Sequence, residues 1–269
     1  MALGFTAEAL ASAARGSGAL RMGLSRLAEE DWLWPRFDAA ARRDVFARHP
    51  DSIIIQTGAQ AAAAEAAALV TGGAHHTLGE AAAHVWEDLC VLQPDAQGAY
   101  RLTAAAVGFP TDWRLHEKIG LPLTAIHAPI HGYGEQLAAG VDHFFATLPA
   151  GPIFGRSNWF VMANGSHRYL PQDDPATRFS HVTGENAGKA LFLRSERQTL
   201  RRLPGTGAVL FTIGIALSAF DGLSVGLLAR IAQDMAALGS GEHERRAAPH
   251  YARALAEYAA RRMELEKTA

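Results

Sequence analysis

Apolar positions recur with two different periods along this chain, and the switches between them mark its elements. Helical spacing or composition predicts helices over Phe37–Arg48, stopped by Pro50, and over the alanine-rich Gln60–Val70, ended by Gly72 and Gly73. The same spacing recurs over Glu135–Leu148, apolar at Leu137, Val141, Phe144, Phe145 and Leu148. Thr77-Leu-Gly-Glu80 has the form of a capping box and opens a helix through Trp86 towards Val91, with Glu87 and Asp88 on a solvated face. Short β-branched or apolar runs predict strands over Ser52–Thr57, Tyr100–Phe109 and Asn158–Met162. The longest strand-like pair is Leu191–Leu203 and Ala208–Ser218, joined by the turn Leu203-Pro-Gly-Thr-Gly207. From Ser224 the pattern predicts two helices split at Gly239-Ser-Gly241, the last being the charged Pro249–Lys267. Residues 1–22 read as a loosely ordered lead-in, His167–Gly188 as a long polar loop or lid, and residues 23–269 as one domain. The fold class expected is α+β: a mostly antiparallel sheet with helices at one side.

One stretch fits neither period. Phe109–Tyr133 carries His116, His127 and His131 together with Pro110, Pro122 and Pro129. Proline fixes φ and lacks a backbone donor, so the segment divides into short extended pieces and turns. Leu121–Ile126 reads as a strand that delivers His127 to its end, where an imidazole can ligate a metal or carry a proton. Each of these histidines, taken alone, also reads as an ordinary surface or hydrogen-bonded residue.

Composition narrows the chemistry. The chain has 269 residues, 49% of them hydrophobic, enough for a sizeable core. No apolar run reaches the ~18–20 residues of a membrane helix, and the N-terminus lacks the basic start and apolar block of a signal peptide, so a cytoplasmic protein without membrane contact is expected. A net charge of −2 without charged blocks argues against a nucleic-acid surface. Cys90 is the only cysteine, which excludes an intrachain disulfide and a thiolate cluster, and no glycine spacing matches a nucleotide loop. Twelve histidines are the one compositional hint of metal or proton chemistry.

His127 and His131 are four apart but straddle a proline, with no acid between them, so they are not a helical zinc pair. A single axial histidine to a haem iron stays open. Alternation in Leu193–Leu203 places Arg194, Glu196 and Gln198 on one strand face, and Ser195, Arg197 and Thr199 on the other. Such a polar row either meets solvent or lines a pocket, where it binds an anion and supplies a carboxylate as acid or base. Arg156, in Phe154-Gly-Arg-Ser-Asn-Trp159, reads as a second anion clamp or a salt-bridge partner.

FPTDW, EKIGLPLTAIHAPI, RSNW and LRSERQTLRRLPGTGAVLFTI, with the earlier LSRLAEEDWL and the WEDLCVL and YRL pieces, occur in one order over about residues 24–215. In that combination the chain resembles the haem-dependent oxidative N-demethylase family, specifically its haem-binding subunit. The resemblance implies a PAS-like sheet with flanking helices, haem b, molecular oxygen as oxidant and a separate flavin or iron–sulfur reductase. It also implies a small secondary methylamine as substrate, with formaldehyde released. By motif it makes His127 the iron ligand or pocket wall, Glu196 the catalytic carboxylate, and Arg156 and Arg197 propionate partners; His131 stands near the first imidazole as a further cofactor contact. Two departures stand out. Pro129-Ile130-His131 replaces the family's Pro-Val-Pro turn, and Gly214-Ile215-Ala216-Leu217 stands where the family has an arginine followed by Thr-Tyr. A PAS-type haem or ligand sensor and a non-catalytic subunit are the alternatives to an enzyme, and homo-oligomerisation is left open.

Overall fold

The centre of the molecule is a hairpin of two long strands, β6 (Phe192–Arg202) and β7 (Val209–Ala219), joined by the predicted turn. The computed structural model describes residues 3–14, 21–130 and 132–268. Glu65 closes the turn from outside: its carboxylate accepts from the backbone of Gly205 (2.6 Å) and Thr206 (2.8 Å) and from the Thr206 hydroxyl. Those bonds outweigh the desolvation of Glu65 and hold its carboxyl below the usual range.

Five more strands extend the hairpin into one antiparallel sheet: β1 (Ser25–Leu27), β2 (Ile53–Ile55), β3 (Asp88–Pro94), β4 (Tyr100–Ala106) and β5 (Ile153–Met162). The order is β1-β5-β6-β7-β3-β4-β2. Thus β3 and β4 form a hairpin, the chain crosses through helices, and β5, β6 and β7 follow consecutively. Strand β5 starts five residues earlier than its sequence pattern suggests, because Ile153–Ser157 pair with Arg201–Arg197.

Helices cover both faces of this sheet rather than one. On one face α1 (Ala7–Ala13) packs across β5, β6 and β7, and its Leu10 is fully buried. Burial of one such leucine is worth roughly 1.5–3 kcal/mol, so Ala7–Ala13 belong to the core and are not a loose lead-in. Residues 15–20, including Gly16 and Gly18, lie outside the described residues. The same core takes in α2 (Ala39–Arg48), α3 (Gln60–Val70) and α4 (Leu78–His84). A second apolar core, with Leu92, Leu102, Leu200 and Val209 from the sheet, lies on the other face. It packs under α5 (Leu115–Lys118), α6 (Leu123–Ile126), α7 (Tyr133–Gln136) and α8 (Ala138–Thr147). Two short helices, α9 (Pro175–Phe179) and α10 (Ala187–Ala190), interrupt the loop after β5. The C-terminal region is α11 (Val225–Ala236), α12 (Ser240–Arg245) and α13 (Ala252–Thr268), with α11 lying on α13. Among the described residues no helix is long and apolar enough to cross a membrane.

Two predicted elements change type. The Thr77 cap forms as expected, accepting from Glu80 N, but α4 ends at His84 and residues from Asp88 become strand β3. Both edges of β3 are paired, to β4 and β7, and that pairing overrides an apolar run whose period is ambiguous. Leu121–Ile126 is not a strand. Leu121 and Pro122 touch the β4 edge only in one bridge, to Arg101; Pro122, with φ of −70°, then begins a single helical turn, its carbonyl accepting from Ala125 and Ile126.

Candidate cofactor and catalytic site

Strand β6 displays Arg194, Glu196 and Gln198 on the face that looks towards the Phe109–Tyr133 segment, as alternation requires. Thr111 reaches this row. Its hydroxyl accepts from Arg194 Nε at 2.8 Å, and since arginine only donates, the hydroxyl proton goes to Glu196 Oε1 at 2.6 Å. Gln198 Nε2 donates to Glu196 Oε2 at 2.8 Å. The buried carboxylate is therefore fixed by one donor at each oxygen and keeps one lone pair free on each.

Arg194 anchors the loops that deliver Thr111. Its guanidinium donates to the carbonyls of Phe109 (2.6 Å) and His167 (2.8 Å), with longer contacts to Pro110 and Ser166. Burial pulls its pKa down to about 10, against the opposing pull of Glu196 and Asp88, so it stays a cation at neutral pH. Asp112, next to Thr111, has a φ of +56°, a backbone state held by its N–H bond to Tyr169 O at 2.8 Å.

His127 caps the C-terminal end of α6. Its Nδ1 pairs with the carbonyl of Leu123 at 2.8 Å, which makes Nδ1 the protonated nitrogen and leaves Nε2 with its lone pair, unengaged among the described residues. The ring stacks on Tyr133 at 4.6 Å. Burial lowers its pKa, opposed by the Leu123 bond and helped by Arg156 and Lys118, so the imidazole is neutral. A neutral imidazole oriented by a backbone carbonyl is the donor that a metal ion takes. His131 lies outside the described residues. His116 is on the surface helix α5, exposed.

Arg156 on β5 pairs in register with Gln198 and shares the Glu196 face. Its Nε is buried without a hydrogen-bond partner among the described residues, and no ion pair reaches its guanidinium. Burial lowers its pKa and Glu196 partly restores it. A half-buried cation without a hydrogen bond is the kind of donor an anionic group such as a propionate requires, and a free imidazole nitrogen such as Nε2 of His127 is the kind a haem iron takes. Arg197 does not join it. That side chain points to the opposite face, donates to the carbonyls of Trp32 (2.5 Å) and Asp31, and lies over the Phe5 ring at 4.5 Å.

Sequence patterning missed what holds FPTDW in place. Glu87 and Asp88 are buried, not solvated. Asp88 Oδ1 accepts from Arg42 at 2.9 Å and from Gly108 N at 2.8 Å, and Oδ2 from Phe109 N at 3.0 Å. Arg42, also fully buried, donates further to the carbonyls of Ala82 and Glu87 and sits over Phe109. Glu87 Oε1 accepts from Trp34 N at 2.8 Å, while Oε2 has no partner among the described residues, and burial pushes the carboxyl up to about 7. The available signal was the acidic pair itself, placed just before an apolar run instead of inside a polar one.

Among the described residues no three His, Cys, Asp or Glu side chains form a metal-holding group, and the site's donors are one imidazole nitrogen and one cation. Compared with protein families, residues 43–252 match the haem-dependent oxidative N-demethylase, alpha subunit-like family, which spans well over half of the chain and all of the site. The chain belongs to the haem-dependent oxidative N-demethylase alpha-subunit-like family.

Proposed function

We propose that this protein is the haem-binding subunit of an oxygen-dependent oxidative N-demethylase with a PAS-like fold. Its substrate is a small secondary methylamine and its products are the demethylated amine and formaldehyde. The observation that carries this reading is the grouping on one sheet face: among the described residues His127 has Nε2 free and Arg156 makes no hydrogen bond, and Glu196 is held by Thr111 and Gln198. The order β4-β3-β7-β6-β5, with helices crossing between β4 and β5, supports the PAS-like part of the reading.

In this reading His127 holds the iron through Nε2 and Arg156 pairs with a propionate. Bound haem b supplies the oxidation by molecular oxygen, with electrons from a separate flavin or iron–sulfur reductase. The protein's own part is proton handling and orientation. A methylamine is an ammonium ion at neutral pH and cannot be oxidised at nitrogen or the adjacent carbon until it loses that proton. Glu196 first attracts the ammonium, then takes its proton on the free lone pair of one oxygen. Thr111 and Gln198 keep the carboxylate from rotating away, and Arg194 keeps Thr111 in place. A cytoplasmic setting belongs to the same proposal.

The test is spectroscopic and then catalytic. Expressed with adequate haem, the protein should show a Soret band, and with a reductant, oxygen and a secondary methylamine it should release formaldehyde. His127→Ala should lose the band while His116→Ala keeps it. If His127→Ala retains the wild-type spectrum and His131→Ala does not, the ligand is His131. No Soret band in the wild-type protein would sink the reading. A Soret band without formaldehyde from any methylamine would instead favour a haem sensor.

A further inference from the structure

We propose that the cleft between α1 and the Trp34 turn is a second ligand site, which takes a small methylated ammonium ion. The cleft holds about 560 Å³ and lies against residues 215–218 of β7, on the edge left open beyond the start of β3. Its walls are the rings of Phe5, Trp34, Phe37, Trp86 and His167. These rings meet edge-on or tilted: Phe5 and Trp34 at 5.3 Å, Phe37 and Trp86 at 6.0 Å, Trp34 and Trp86 at 6.5 Å, Trp86 and His167 at 5.1 Å. Edge-on packing turns the faces of neighbouring rings in different directions, so an ion in the cleft meets several π faces at once.

The charges around the rings select the sign of the ligand. Glu8 and Asp38 contribute carboxylates to the lining and Arg36 the single cation. Asp38 uses Oδ1 to cap α2, at 3.0 Å from both Ala40 N and Ala41 N. His167 adds no positive charge at neutral pH, since burial beside Arg194 and Arg42 drops its pKa to about 4. Behind the wall lies a further carboxyl, whose pKa burial raises to about 7. Glu87 takes the Trp34 N–H on one oxygen and leaves the other buried without a partner among the described residues.

The architecture depends on a glycine. A Cβ on Gly214 would lie 2.8 Å from the Trp34 ring and 3.6 Å from Glu87 Cγ, so the bare backbone is what lets the indole stand there. Of the cations such a cleft could accept, a methylated one is favoured. Its charge is spread over methyl groups that pack on rings, and it loses hydration at lower cost than a primary ammonium. The inference does not rest on the demethylase reading, because binding here requires neither haem nor turnover.

The experiment is calorimetric titration of the full-length protein with tetramethylammonium chloride, and with neopentyl alcohol as a neutral ligand of the same shape. Saturable binding of the cation is expected, with the alcohol at least about tenfold weaker, and Trp34→Leu and Glu8→Gln each weakening the cation while Glu264→Gln, on the exposed end of α13, leaves it unchanged. If Trp34→Leu fails to fold by circular dichroism, Phe37→Leu at the rim replaces it. Absence of saturable binding overturns the proposal, as does equal affinity for the alcohol, which would mark a merely apolar cleft. Loss of binding in Glu196→Gln alone would place the cation beside Glu196 and overturn it equally.

Discussion

The two faces of β6 use the same residue types in opposite ways. On one face Ser195, Arg197 and Thr199 are bound into the structure: Ser195 Oγ donates to Ala7 O at 2.8 Å, Arg197 to Asp31 and Trp32, and Thr199 accepts from Trp32 Nε1 at 3.1 Å. On the other, Glu196 retains accepting capacity and Arg156, its neighbour on β5, makes no hydrogen bond or salt bridge among the described residues. A buried polar group without a partner costs free energy, and among the described residues Arg197 leaves only its Nε unpartnered whereas Arg156 makes no hydrogen bond at all. The first face fastens the N-terminal segment and the second is left open for chemistry. Charge alone does not reveal the difference, because Arg156 and Arg197 are equally good anion binders when read as letters.

The departure at Gly214-Ile215-Ala216-Leu217 looks different in this light. Gly214 lies opposite Arg197 in the ladder and beneath Trp34, on the closed face. Where the resembling family carries an arginine, this chain has an indole standing over a buried carboxylate. At Gly214 the change therefore reshapes the aromatic cleft, while Ile215 and Leu217 stand opposite Glu196 and Arg194 in the ladder and border that row.

Substitutions on the two faces should separate function from stability. The largest effect expected is on the open face: Glu196→Gln keeps haem and melting temperature but lowers formaldehyde per bound haem by about a hundred- to ten-thousand-fold. Unchanged turnover per haem would remove Glu196 from the mechanism. Next comes the scaffold under FPTDW. Asp88→Ala strands the buried Arg42 and should cost roughly 3–5 kcal/mol in denaturant unfolding, a loss that a partly hydrated pair would not show.

Glu87 gives a pH signature on the closed face. Its folded pKa of about 7 lies above its unfolded value, so between about pH 4.5 and 7 the folded state holds the extra proton. Stability from this group therefore falls as pH rises through that window, by up to about 3 kcal/mol, and stays low above it. Glu87→Gln should flatten the slope, and urea midpoints at pH 5 and pH 8 measure it. An unaltered slope would mean that Glu87 does not titrate there. The arginines give the smallest contrast. Arg197→Met leaves two carbonyls without their donor and should cost about 1–3 kcal/mol, whereas Arg156→Met loses no hydrogen bond, should scarcely move the midpoint, and should weaken haem retention. Equal losses of stability would erase the distinction between the faces.

Local chemistry determined much of this protein by itself. The Leu203–Gly207 turn follows from proline and glycine, the Thr77 cap from a hydroxyl three residues before a carboxylate, and the facing of Glu196 with Arg194 and Gln198 from the two-residue period of a strand. Each needs only interactions between residues close in the chain. What the tertiary structure decided are the outcomes that depend on distant partners. Residues 88–94 became a strand because β4 and β7 stand ready on either side, and Leu121–Ile126 kept only one bridge, from Pro122 to Arg101 of β4, before turning helical. Asp88 went inside because Arg42, far away in sequence, neutralises it, and Thr111 found Glu196 only across the fold. The difference between Arg156 and Arg197 is of the same kind. Whether a cation is satisfied depends on which carbonyls lie within reach of its guanidinium, and those belong to segments that only folding brings alongside.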